Sequence, residues 1–180
     1  MQTRLDVQRT QQPNGDTWQP PPPEEFKLNF DAAVFSDSGR TGYGAIIRNE
    51  KGEVMAAMTA PGPMVRTSDE AELLACQRAI EFAVDVGFSR FIVEGDNINV
   101  IHAISSSVEN TSPFGNVVDD IRHLLRSLQW VSVCCIRRGG NQVAHVLAQY
   151  ARNTLDEDVY WMEESPPPAM DALYRDLSLI

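Results

Sequence analysis

The chain has 180 residues, 43% hydrophobic and 22% charged, with a formal net charge of −10. That length suits one domain with tails, and such a domain buries a core without disulfide or metal staples. No apolar run approaches the ~18 residues of a membrane span, and the opening MQTRLDVQRTQQ lacks the apolar stretch of a secretory leader, so no membrane partner is expected. The three cysteines, Cys76, Cys134 and Cys135, are odd in number, and adjacent strand residues point to opposite faces. A disulfide framework is therefore disfavoured, and an intracellular, reducing location is expected, nucleus or cytoplasm alike. The charge is uneven: residues 156–180 hold seven acids against one base, whereas residues 26–155 hold 14 acids and 12 bases. The middle is nearly balanced and has no strong basic footprint, so any nucleic-acid binding should be weak and salt-sensitive.

In chain order, residues 1–25 are polar and end in WQPPPPEE, which reads as a proline-rich flexible linker. Three strands follow at about 26–35, 42–49 and 53–60, joined by the turn-rich SDSGRTG and NEKGE into an antiparallel meander. On the first strand, Phe26, Leu28, Phe30, Ala32 and Val34 share one face, and Lys27, Asn29, Asp31, Ala33 and Phe35 the other. Asp31 thus sits mid-strand on the less apolar side. Gly42 and Gly44 flank Tyr43, where glycines signal a bulge or a close backbone approach. Residues 67–87 switch to helical spacing, with Thr67 or Ser68 as cap and Gly87 as stop. RFIVEGD (90–96) is a short buried strand, NINVIHAISSS a helix capped by Asn97, 112–128 a helix, 129–138 a strand and 141–153 an amphipathic helix. Residues 156–180 form an acidic, proline-containing tail for which little regular structure is expected. A meander followed by strand–helix alternation predicts an α/β domain over 26–155: a mixed sheet with helices on both faces.

Three acids stand out from this order. Asp31 lies in the first strand. Glu72 lies in the first turn of the first helix, three and four residues before Ala75 and Cys76, and so shares the face that packs on the sheet. Asp96 directly follows FIVEG, beyond the carboxyl end of a strand, where open α/β sheets build their sites. Asp69 and Glu70 read more simply as solvated partners of the helix dipole. Three converging carboxylates repel one another unless cations compensate them, and hard oxygen ligands favour Mg²⁺. Two such ions can activate a water and stabilise the leaving oxygen of a phosphodiester.

The spaced pattern NFDAAV, TGYGAIIRNEKGEV, SDEAELLACQRAIEFA, FIVEGDN and NQVAHVLAQYA resembles the type-1 ribonuclease H domain, in the form found in plant retroelement-derived proteins, over roughly residues 18–155. The resemblance implies a ribonuclease-H-like five-stranded mixed sheet, a three-stranded antiparallel meander plus two parallel strands. It also implies metal-dependent endonucleolytic cleavage of the RNA strand of an RNA–DNA hybrid by a monomer, with Mg²⁺, or alternatively Mn²⁺, as cofactor. Asp31, Glu72 and Asp96 are then the metal ligands, and Thr67, Ser68, Asn97 and Asn141 the substrate-side residues. Two features depart from the family. His145 stands in NQVAH where relatives carry a fourth metal-site acid; imidazole is a poor Mg²⁺ ligand, so as a fourth catalytic residue His145 would complete the site weakly, shift its preference toward Mn²⁺ or donate a proton. The loop before the last helix, IRRGGN, has no histidine; its Arg137 and Arg138 read either as phosphate contacts or as solvated charges. These departures keep open a nucleic-acid-binding module without turnover, and the proline-rich ends a second alternative, a protein-interaction domain whose PPPP and ESPPPAM segments bind aromatic grooves.

Overall fold

A computed structural model describes residues 15–180. The lead-in up to residue 14, part of the expected linker, lies outside the described residues. The meander is β1 (Lys27–Val34), β2 (Arg40–Arg48) and β3 (Val54–Met64); α1 (Ser68–Asp85), β4 (Arg90–Gly95), α2 (Ile98–Ser105), α3 (Gly115–Ser127), β5 (Trp130–Cys135) and α4 (Gln142–Tyr150) follow in the expected order. The sheet has six strands rather than the expected five, in the order β5-β4-β1-β2-β3-β6. β4 and β5 run parallel to β1 and the remaining pairs are antiparallel.

The sixth strand, β6 (Val159–Met162), and a last helix, α5 (Met170–Leu177), come from the acidic tail. The expectation of little regular structure there is corrected. β6 pairs with β3 from Ala56↔Met162 to Thr59↔Val159 and covers an edge that would otherwise offer unpaired backbone groups. ESPPPAM contributes a 3-10 turn, Pro167–Ala169, that leads into α5.

Leu28 and Phe30 of β1 pack with Phe82 of α1, Phe91 of β4 and Ile121 of α3 on one face of the sheet. Ile46 of β2, Val143 and Leu147 of α4, Trp161 of β6 and Leu173 of α5 fill the other. α4 lies unusually close to β2. A side chain at Gly44 would strike the backbone of Ala144, Leu147 and Ala148, and one at Gly42 would strike Ala148 and Ala151. This is the close backbone approach that the two glycines signal in the sequence.

Residues 15–25 contain no helix or strand, yet Trp18 is fully buried. Its Nε1 donates to Asn29 Oδ1 at 3.0 Å, and the Arg48 guanidinium stacks over its ring at 3.8 Å. Asn29 in turn donates to Glu94 at 3.0 Å, and Lys27 pairs with Glu94 at 3.3 Å. Lys27, Asn29 and Glu94 occupy the α4 face of β1 and β4, and each has a partner, as burial requires. The same lead-in presses on the turn before α4: side chains at Gly139 and Gly140 would meet the backbone of Asp16 and Thr17 respectively.

Candidate metal centre

The site grows out of a length mismatch between two strands. The parallel ladder between β1 and β4 ends at Asn29↔Glu94, and β4 itself stops at Gly95, whereas β1 continues to Val34. Backbone groups on that side of β1 therefore lose their strand neighbour and need other partners. Asn141 Nδ2 donates to the Phe30 carbonyl at 2.9 Å, and the Ala32 amide donates to Glu72 Oε1 at 3.2 Å. Side chains from α4's leading turn and from α1 thus complete the strand where β4 gives out, and in doing so they reach Asp31.

Asp31, Glu72 and Asp96 each offer a carboxylate oxygen, and these oxygens lie within 4.8 Å of one another. Asp31 is fully buried, Glu72 is buried, and Asp96 is half-buried. Two of the buried oxygens, Asp31 Oδ1 and Glu72 Oε2, have no hydrogen-bond partner among the described residues. Burial, then the neighbouring Asp31, pushes the Glu72 carboxyl far above its ordinary value. Asp96 is also raised, by burial and by Asp31, against the opposing pull of Arg138.

An imidazole and a guanidinium of the chain itself border the cluster. His145 Nδ1 lies 2.8 Å from Asp31 Oδ2. Arg138 Nε donates to Asp96 Oδ2 at 2.7 Å, and its Nη1 is 3.4 Å from His145 Nδ1. Nδ1 cannot both donate to Asp31 and accept from an arginine that is always a donor. The shorter carboxylate contact decides the tautomer: Nδ1 carries the proton and donates to Asp31, and Arg138 is merely adjacent.

The remaining sequence candidates take up different positions. Thr67 is exposed and caps α1, accepting from the Glu70 amide at 3.1 Å, and Ser68 is exposed beside it. Asn97 caps α2 and donates to Asp69 Oδ1 at 2.8 Å, so Asp69 is not merely solvated. Asn141 is 1% exposed, and besides Phe30 it accepts from Asn29 at 3.3 Å. It is a positioning residue in this structure, with its amide already committed. The cluster's one contributor that sequence reasoning left undecided is Arg138. Its 42-residue separation from Asp96 leaves no local signal beyond its place in the turn before α4.

A carboxylate oxygen buried without a partner is costly unless a cation or proton meets it. Asp31 Oδ1 and Glu72 Oε2 therefore fit a hard divalent ion, for which an all-oxygen donor set is suited. In the metal-free protein, Glu72→Gln is expected to raise stability by on the order of 2 kcal/mol at pH 8, roughly 4–8 °C in Tm. The amide keeps the acceptor for Ala32 but carries no charge. Because the folded carboxyl titrates above the unfolded one, its penalty is absent at low pH and grows as pH rises past the ordinary carboxylate value. The Tm difference between Gln variant and parent, measured in EDTA, should accordingly be smaller at pH 5 than at pH 8.

The fold is that of ribonuclease H1 domains. It superposes on RNase H1 from the halophilic archaeon Halobacterium salinarum NRC-1 with a TM-score of 0.65 at 24% identity, covering 72% of this chain and 98% of that one. The N-terminal RNase H domain of rv2228c from Mycobacterium tuberculosis gives 0.64 at 20% identity, over 72% and 94%. LC11-RNase H1, isolated from compost and solved in complex with RNA/DNA hybrid, gives 0.63 at 20% identity, over 72% and 97%. Residues 29–151 match the model of the reverse transcriptase-like family, and the chain belongs to that family. No curated protein matches the chain. Among the described residues, no helix is long and apolar enough to cross a membrane.

Proposed function

We propose that this chain is a divalent-metal-dependent endonuclease that hydrolyses the RNA strand of RNA–DNA hybrids, acting as a monomer. The observation that carries the reading is the pair of orphaned buried oxygens, Asp31 Oδ1 and Glu72 Oε2, in a cluster with Asp96. The likeness of the fold to an RNase H1 solved with an RNA/DNA hybrid supports the substrate class. Asp31, Glu72 and Asp96 would hold Mg²⁺ or Mn²⁺, which supplies Lewis acidity at the scissile phosphate and a nucleophilic water at neutral pH. The protein fixes the three carboxylates from the central strand, the facing helix and the end of β4, so little reorganisation accompanies the reaction. His145 orients Asp31 through Nδ1 and leaves Nε2 to exchange a proton with solvent or a departing oxygen. Thr67 and Ser68, both exposed, would contact backbone or 2′-hydroxyl groups, which distinguish RNA from DNA. A retroelement ancestry accords with the reverse transcriptase-like family.

The test is cleavage of a hybrid labelled on each strand, at low salt, in Mg²⁺ and separately in Mn²⁺, with DNA duplex and EDTA as controls. Cutting confined to the RNA strand and abolished by EDTA is expected. A second reading has its own support, since two site oxygens are already held by Arg138 and His145. Folded protein that binds hybrid but leaves it intact in both metals would establish a binding module in place of a nuclease.

A further inference from the structure

Arg138 presents an unusual contrast between its two ends. Its backbone is fixed: the Gly140 amide donates to the Arg137 carbonyl at 2.9 Å, Gln142 Nε2 donates to the Arg138 carbonyl at 2.9 Å, and the lead-in packs against Gly139 and Gly140 from behind. Its side chain is 59% exposed, and its strong contact is the 2.7 Å donation from Nε to Asp96 Oδ2. Asp96 is the least buried corner of the carboxylate cluster and the one with an oxygen tied to a protein cation. A guanidinium cannot shed its charge to make way for an ion, so the two must compete for this carboxylate or share it at a cost. An arginine released from Asp96 remains tethered beside the carboxylate cluster, and its planar fork matches phosphate oxygens.

We propose that Arg138 is a tethered counter-ion of the metal centre. In the metal-free protein it neutralises Asp96 and so lowers the affinity of the site for divalent ions. When the ions load, it turns outward about its fixed backbone and grips the phosphodiester, so that metal loading and substrate binding favour each other. It acts as a positioning residue on the metal side and as a phosphate contact on the substrate side. The proposal rests on the reading of Asp31, Glu72 and Asp96 as a metal site.

The experiment titrates Mn²⁺ alone into the parent protein, Arg138→Gln, Arg138→Lys and Asp31→Asn, following the free ion by its paramagnetic resonance signal. Hybrid affinity is measured in parallel in Ca²⁺. Arg138→Gln should bind Mn²⁺ about tenfold more tightly than the parent, and hybrid about tenfold more weakly. Arg138→Lys, which keeps the charge without the fork, should fall between the two in both titrations. A residue that merely held the loop in place would lose metal affinity on replacement, so the opposite signs of the two effects are the signature. Mn²⁺ affinity in Arg138→Gln equal to or weaker than the parent's, with Asp31→Asn weakened, would remove the counter-ion role and leave the metal site standing. Mn²⁺ binding that is absent, or the same in Asp31→Asn as in the parent, would overturn the metal reading and this inference with it.

Discussion

Asp31→Asn is expected to yield a folded protein whose hybrid cleavage is slower by on the order of 10³-fold in either Mg²⁺ or Mn²⁺. Asp31 is fully buried on the central strand, with a carboxylate oxygen within 4.8 Å of one from each of the other two acids. Its two oxygens face different partners: Oδ2 accepts from His145, and Oδ1 is left without one. Asparagine matches its size and can still accept from His145 through its carbonyl. It then turns an NH₂ group toward the place of the orphaned oxygen, where a cation would have to approach a donor instead of an anion. The fold should survive, because the replacement relieves repulsion with Glu72 and removes a buried charge. Single-turnover cleavage together with a thermal melt in EDTA separates the outcomes. A stable variant that cuts within tenfold of the parent would show that the three carboxylates are not the reaction centre. An unchanged or raised metal-free Tm is expected alongside the lost activity.

What the sequence revealed and what it hid follow the range of the forces involved. Strand alternation in KLNFDAAV and helical spacing in α1 are local, so the positions of Asp31 and Glu72 could be read directly, and both proved buried at one place. Gly42 and Gly44 announced a close approach, although only the structure shows α4 as the approaching element. β6 was hidden because VYWM is four residues long and set among acids, and its stability comes from an open edge on β3 rather than from its own composition. α5 was hidden for a similar reason: MDALYRDL is polar on one side, and its apolar Ala172 and Leu173 acquire meaning only when α4 and β6 are in place. Trp18 lay in a stretch whose prolines argued for an extended linker, and neither proline nor periodicity indicates that one indole is anchored by Asn29 and Arg48. The pairing of Arg138 with Asp96 is equally non-local, so the charge state of the metal-free centre could not be read from the motifs that located its ligands.

The largest effect on stability is expected at Arg48, far from the carboxylates. Its side chain is 1% exposed, pairs with Asp176 of α5 at 2.8 Å and stacks on Trp18, so it ties the lead-in and the C-terminal helix to the end of β2. Arg48→Ala should cost about 3–5 kcal/mol, chiefly because it leaves the Asp176 carboxylate buried without a partner. The pH dependence identifies the cause. Burial already raises Asp176 above its ordinary value, against the opposing pull of Arg48. Without the guanidinium that opposition is gone, and the carboxyl rises further. Below the ordinary carboxylate range Asp176 is protonated in both folded and unfolded chains, and the charge penalty vanishes. As pH rises the unfolded chain ionises freely while the folded one resists, so the loss of stability should grow from pH 5 to pH 8. Urea melts of the parent, Arg48→Ala and the double variant Arg48→Met with Asp176→Leu provide the check. The double variant removes both charges and keeps the volume, so it should recover most of the stability and show no added dependence on pH. If Arg48→Ala and the double variant were equally unstable at every pH, the lost stacking on Trp18 would account for the effect, and the ion pair would contribute little.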